Sequence, residues 1–176
     1  MKGLISYRTV VLALLALLAN RASAASATLT TQTLSGTFAP IAKLTVPGSV
    51  SLTHTGTVFN AFTGTVNVSY WARTSVGGTM TLKITTDFAA GGPSAAAGDL
   101  TYTCTGATLG TNCSGTITAS TGSSTAVLTL PASSCTGASC GNTTPNTMSV
   151  GFTLADQAST KTGSYTASAQ FTVSAT

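Results

Sequence analysis

The chain has 176 residues, of which only 6% are charged, and its net charge is +4. Three of the seven basic residues lie near the amino terminus, and the rest of the chain carries four basic residues against three aspartates. Those four are scattered along the sequence, which excludes the clustered basic surface that nucleic-acid binding requires. A hydrophobic fraction of 43% argues against a disordered chain and supports one domain with a core.

The amino terminus has the three parts of a secretory signal peptide. Lys2 and Arg8 form a positive segment, Thr9–Leu18 is apolar, and Ala22-Ser23-Ala24 is a small-residue cleavage site. The apolar run is shorter than the roughly 20 residues that span a bilayer, so no membrane span is expected after cleavage. We therefore predict that residues 1–24 are removed and that residues 25–176 fold in the periplasm, outside the cell or at its surface.

The mature chain alternates between apolar and polar residues with a period of two, which is typical of β-strands with one wet face. In residues 65–73, for example, Val66, Val68, Tyr70 and Ala72 share the apolar face. Residues 126, 128 and 130 are predicted to form another inward row. The predicted strands, in chain order, are Ala27–Leu34, Ile41–Val46, Ser49–Thr53, residues 65–73 and 80–85, Leu100–Thr105, Gly115–Ala119, and residues 125–130, 148–154 and 165–173.

These short strands, separated by glycine and proline turns, predict an all-β fold. We expect an antiparallel, two-sheet, immunoglobulin-like β-sandwich of about eight to ten strands in one domain, residues 25–176. A closed barrel is the alternative. Ala89–Asp99 and Ala132–Thr147 are predicted loops.

Four cysteines occur, an even number that indicates disulfides in an exported domain. Four cysteines allow three connectivities, and the spacing favours Cys104–Cys113 and Cys135–Cys140. A zinc site is the rival, but the spacing lacks a C-x2-C pair and no histidine is near.

Residues for catalysis are scarce, and we predict no enzyme, no cofactor and no metal. His54 is the one histidine, and Asp87, Asp99 and Asp156 are separate in sequence and lie beside turns. A calcium site built from Asp87 and Asp99 is an alternative, although no calcium-binding loop motif is present.

Trp71 is a candidate ligand contact. It should point away from the core beside Asn67 and Arg73, where an indole ring flanked by hydrogen-bonding groups could stack on a sugar. The alternative is that a neighbouring segment covers it.

The final segment, from Gly163 through Tyr165, Phe171 and Val173 to Thr176, resembles the last strand of chaperone–usher fimbrial subunits, which also follows a glycine. Residues 25–40 resemble, in position, the extension that such subunits donate to a neighbour, and Phe62–Phe88 is similar to adjacent strands of their sandwiches. The resemblance implies an exported structural or adhesive cell-surface subunit whose partners are copies of itself or other surface proteins. A carbohydrate-binding module that uses Trp71 on glycans is the alternative function.

Two modes of assembly are compatible with this resemblance. The ten candidate strands favour a self-complete domain that associates through its surface. In the other mode, one sheet edge stays open and accepts a strand from the next subunit.

Overall fold

A computed structural model describes residues 33, 35–37, 39–54, 56, 59–132 and 144–176. The strands discussed below belong to the compact unit Phe38–Thr176. The predicted signal peptide, most of the predicted strand Ala27–Leu34 and the pair Cys135 and Cys140 lie outside the described residues.

Among the described residues, nine strands form two antiparallel sheets that pack together, which confirms the all-β two-sheet sandwich. The five-stranded sheet has the order β1-β2-β8-β4-β6, and the four-stranded sheet has the order β5-β7-β3-β9. The strands are β1 (Ile41–Thr45), β2 (Phe62–Arg73), β3 (Gly78–Thr86), β4 (Leu100–Thr105), β5 (Thr111–Asn112), β6 (Ile117–Thr118), β7 (Thr125–Leu130), β8 (Asn146–Leu154) and β9 (Ser168–Ala175).

The inward rows of both sheets form one core. In β2, Val66, Val68, Tyr70 and Ala72 are buried, as the alternation predicted, and Met80, Leu82 and Ile84 of β3 face them from the other sheet. Since buried apolar area is the main favourable term in folding, this interleaved core supplies most of the stability.

The predicted inward row of β7 is wrong at its first residue. Val127 and Leu128 are both buried, whereas Ala126 is exposed. The cause is a β-bulge, because Met80 pairs with Leu128 while the next residue, Thr81, pairs with Ala126. Because Val127 is an extra residue with no partner in β3, the residues before it point to the opposite face from the one that strict alternation predicts.

Three other predicted strands differ from the structure, and one of them, Gly115–Ala119, shortens to β6 (Ile117–Thr118). In Ser49–Thr53, Thr53 forms an isolated bridge to Thr63 and no extended strand is present. The last strand begins at Ser168 rather than at residue 165, because Tyr165 forms hydrogen bonds with residues outside the sheet. Its hydroxyl donates to the carbonyls of Lys161 (2.9 Å) and Gly91 (3.2 Å), which ties the segment before β9 to the glycine loop.

The Tyr70 hydroxyl fixes the loop between β4 and β5. It donates to the carbonyl oxygen of Leu109 and accepts from the Leu109 amide at 3.3 Å. Thr108 extends the network, because its hydroxyl accepts from the amide of Thr147 at 2.9 Å. The hydroxyl of buried Tyr70 therefore pairs with both backbone groups of Leu109 in a partly buried loop.

Candidate functional site

The outer edge of β9 is one of the strand edges that the sandwich leaves unpaired among the described residues. β9 pairs with β3 from Gly78–Ala175 to Thr86–Ser168, and no other strand of the described residues lies on its far side. Its eight residues, SAQFTVSA, contain neither a charge nor a proline. Edge strands present unpaired N–H and C=O groups, and proteins normally protect them with lysine, proline or a very short strand. β9 has none of these protections.

The apolar side chains next to this edge are incompletely covered. β1, the edge strand of the other sheet, lies beside β9. Leu44 of β1 and Phe171 and Val173 of β9 pack against the core but are only partly buried, and Ile41 at the start of β1 is 49% exposed. We call β1 and β9 together the open side of the sandwich. It offers both backbone hydrogen-bonding groups and apolar contact area to an added strand.

The end of β9 is held in place by the turn between β2 and β3. The amide of Thr176 donates to the Gly77 carbonyl at 3.0 Å, and the amides of Ser75 and Val76 donate to the Thr176 carbonyl at 2.9 and 3.1 Å. A fixed edge loses little conformational entropy when a further strand pairs with it.

The opposite side of the sandwich is built differently. Its edge strands, β5 and β6, have two residues each, and a disulfide joins Cys104 of β4 to Cys113 just after β5, with a Cα–Cα distance of 5.4 Å. This confirms the predicted Cys104–Cys113 pair and shows that it links the two sheets. The predicted Cys135–Cys140 pair lies outside the described residues.

Trp71, Asn67 and Arg73 lie on the outer face of the five-stranded sheet, as the alternation predicted, but each is engaged within the protein. The ammonium group of Lys43 lies 4.7 Å from the centre of the Trp71 ring. The Asn67 side chain accepts from the Ser149 hydroxyl at 2.8 Å, and the Arg73 guanidinium donates to the Ala39 carbonyl at 2.8 and 3.1 Å. Trp71 is partly buried, and its indole N–H has no hydrogen-bond partner among the described residues. A sugar would have to displace Lys43 from the ring in order to stack there.

Asp87 organises the loop after β3. Its two carboxylate oxygens accept four hydrogen bonds, from the amides of Phe88 (2.9 Å), Ala95 (2.8 Å) and Ala96 (3.2 Å) and from the Ser94 hydroxyl (2.9 Å). Asp99 closes the same loop by accepting from the Ser94 amide at 2.8 Å. Partial desolvation raises the pKa of Asp87, but these hydrogen bonds outweigh it and leave the pKa below its usual value. Four donors aimed at one carboxylate stabilise a negative charge without a metal ion, which weakens the calcium alternative.

We expect Asp87→Asn to destabilise the protein by about 1–2 kcal/mol, because an amide NH2 group would face donors in place of an acceptor. The depressed pKa stabilises the fold above pH 3.8, the ordinary value, and this contribution disappears as the pH falls through the lower pKa of the folded state. Urea midpoints measured between pH 6 and pH 2 should therefore fall less steeply for the variant. Asp156→Asn, which removes a carboxylate outside this loop, is the control. Equal acid sensitivity of the wild type and Asp87→Asn would contradict this role.

The remaining candidate residues for catalysis or metal binding, among them His54, do not form a cluster in the described part of the chain. The ring of His54 makes an edge contact with Phe62, with the two centres 4.7 Å apart. In the part of the chain that the structure covers, no group of three or more His, Cys, Asp or Glu residues is arranged to hold a metal. The described residues also contain no helix that is long and apolar enough to cross a membrane.

Sequence reasoning did not identify the open side, because edge position depends on which strands pair. One signal was present: residues 168–175 contain no charge or proline, which an exposed edge strand usually has.

Comparison with known proteins yields no relative: no family model, no curated protein and no solved structure matches this chain.

Proposed function

We propose that this chain is an exported, non-catalytic structural subunit of the cell surface that assembles by adding a β-strand from a neighbouring subunit to its open side. The observation that carries the proposal is the unprotected edge of β9, whose own side chains Phe171 and Val173 are only partly buried. Strand addition supplies main-chain hydrogen bonds for affinity and side-chain pockets for specificity.

The location of the protein is part of the proposal. The inter-sheet disulfide is compatible with an oxidising compartment outside the cytoplasm, where such bonds persist. The predicted signal peptide supplies the route. A surface rich in threonine and serine and poor in charge suits packed subunits, since close copies of one chain repel little when few charges are present.

The donor is proposed to be the amino-terminal segment of a second copy, residues 25–37. This segment would follow the signal peptide and precedes β1, and Ala27 and Leu29 could occupy adjacent inward positions. The resemblance of residues 25–40, in sequence position, to the extension that fimbrial subunits donate is consistent with the same assignment. Adhesion to glycans through Trp71 is not favoured by any contact of that residue.

Deletion of residues 25–35 from the mature protein tests the proposal. A subunit that donates this segment should stay as stable as the wild type as a monomer but lose its large assemblies in sedimentation. A self-complete domain that uses the segment internally should instead lose stability.

Point variants sharpen the test. Leu29→Asp should prevent assembly, because a charge would enter an apolar site, whereas Thr28→Asp on the opposite face of the same segment should not. Equal assembly of both variants and the wild type would contradict the proposal.

A further inference from the structure

The second edge strand of the four-stranded sheet is the two-residue β5, which together with Cys113 covers the outer side of β7 in the described structure. Thr111 pairs with Thr129 and Asn112 pairs with Leu128, while the amide of Cys113 donates to the Val127 carbonyl at 2.9 Å. We call Thr111–Cys113 the cover segment. The strand beneath it, TAVLTL, has no charge and no proline. Without the cover segment, β7 would be as unprotected an edge as β9.

The cover segment is anchored to the other sheet by a covalent bond. Cys113 is bonded to Cys104, which lies in β4 and is 7% exposed. A two-residue strand forms few hydrogen bonds and would separate readily from its neighbour. The bond to buried Cys104 restricts that separation, because Cys113 cannot move far without pulling on β4.

We propose that the Cys104–Cys113 disulfide keeps β7 covered, and that without it β7 pairs with β9 of a second copy of this chain. The partner follows from the structure, because β9 is an eight-residue edge whose far side pairs with no strand of the described residues. Once β5 has separated, pairing β7 of one copy with β9 of the next joins the remaining strands, β7-β3-β9, into one sheet from copy to copy. Such a contact is heterologous: each copy keeps one free edge for the next, so association continues beyond a dimer into rings or open chains.

The bond thereby keeps the open side available for the strand addition proposed above, because β7 of a second copy cannot pair with β9 while the cover segment is in place. The inference rests on the proposed function in one respect, namely that this chain associates with copies of itself. It concerns the edge of β7, and it is tested with cysteine variants rather than with the deletion of residues 25–35. Chemically, a dithiol reductant removes the restriction: the Cys104–Cys113 bond breaks, two thiols form, and the dithiol is oxidised to its own disulfide.

The first measurement is amide hydrogen exchange in the mature protein. In Cys104→Ala/Cys113→Ala, the amide of residue 113 should exchange about thirty- to a hundredfold faster, as expected from the loss of a short-loop disulfide. The amide of Ile84, which donates to the Ser120 carbonyl at 2.9 Å, reports on β3 in the same sheet and should stay protected. Cys135→Ala/Cys140→Ala is the matched control. Wild-type exchange at residue 113 in the first variant would overturn the proposal.

The second measurement is the size distribution in sedimentation. Cys104→Ala/Cys113→Ala should form larger species than the wild type at equal concentration, and added Thr129→Lys should reverse this, because Thr129 is exposed on β7 and a lysine there protects the edge. Species that Thr129→Lys does not reduce, or no larger species at all, would overturn the proposal. If the double variant does not fold, Cys135→Ala/Cys140→Ala treated with a mild dithiol provides the same comparison, with and without Thr129→Lys.

The two proposals fail separately. If the deletion of residues 25–35 leaves assembly unchanged, the proposed function fails, while enhanced β7 pairing in the cysteine variant would still hold. If the cysteine variant behaves as the wild type, this inference fails and assembly through the open side is untouched.

Discussion

Gly78→Ala is expected to lower the free energy of unfolding by about 2–3 kcal/mol and to detach the end of β9 from β3. A Cβ atom at Gly78 would lie 2.2 Å from the carbonyl oxygen of Ser174 and 3.1 Å from the Cα of Ala175. Both contacts are with backbone, so a side-chain rotation cannot relieve them, and the strand itself must move. Urea unfolding of the mature protein measures the loss.

Gly48→Ala is the matched control for this variant. A Cβ atom at Gly48 meets no heavy atom within 4 Å, and we expect a change of no more than about 0.5 kcal/mol. Equal stability of Gly78→Ala and Gly48→Ala would show that β9 does not pair with β3 as described. Because the open side depends on that pairing, Gly78→Ala should also weaken assembly.

Tyr70→Phe is expected to cost about 1–3 kcal/mol, although it removes a single oxygen atom. The variant leaves the N–H and C=O groups of Leu109 without the hydroxyl that pairs with both. Thermal or urea unfolding should show the loss. Tyr165→Phe removes a hydroxyl that bonds two carbonyls at the surface, where water replaces it, and should cost less than about 1 kcal/mol.

Tyr70 and a second buried tyrosine, Tyr102, should make the stability of the fold decrease at alkaline pH. Burial raises the pKa of Tyr70 and of Tyr102 above the ordinary value of 10.0, and the hydrogen bonds to Leu109 and Thr125 offset this only in part. For each group, the contribution to stability is complete below pH 10.0 and is lost as the pH rises through the folded-state pKa. The urea midpoint of the wild type should therefore fall above pH 10, and it should fall less for Tyr70→Phe/Tyr102→Phe. An identical alkaline decline would contradict the assignment.

The sequence predicted the fold class because alternation reports burial directly. In β2, the four apolar residues that alternate from Val66 to Ala72 are all buried. The same rule failed at Val127, where a bulge inserts one residue and reverses the inward and outward positions. It also placed the start of the last strand too early, because Tyr165 contacts the Gly91 loop through a long-range hydrogen bond that local pattern does not encode.

The candidate site was less predictable than the fold. The Cys104–Cys113 pair could be predicted from spacing, but its position between the sheets depends on where β4 and β5 lie. The edge position of β9 depends on the order β5-β7-β3-β9, which follows from the packing of the whole domain. Trp71 was correctly placed on the outer face, and the structure adds that Lys43 covers its ring, since residue 43 pairs with residue 71.

The central claim is that β9 accepts a strand from another subunit, and amide hydrogen exchange of the assembled mature protein tests it most directly. Alternate amides of residues 168–175 point to the free edge in the monomer, so they should exchange rapidly there and become protected on assembly. The amides of β6 on the opposite side should not change. Assemblies in which the β9 amides exchange as fast as in the monomer would contradict the claim.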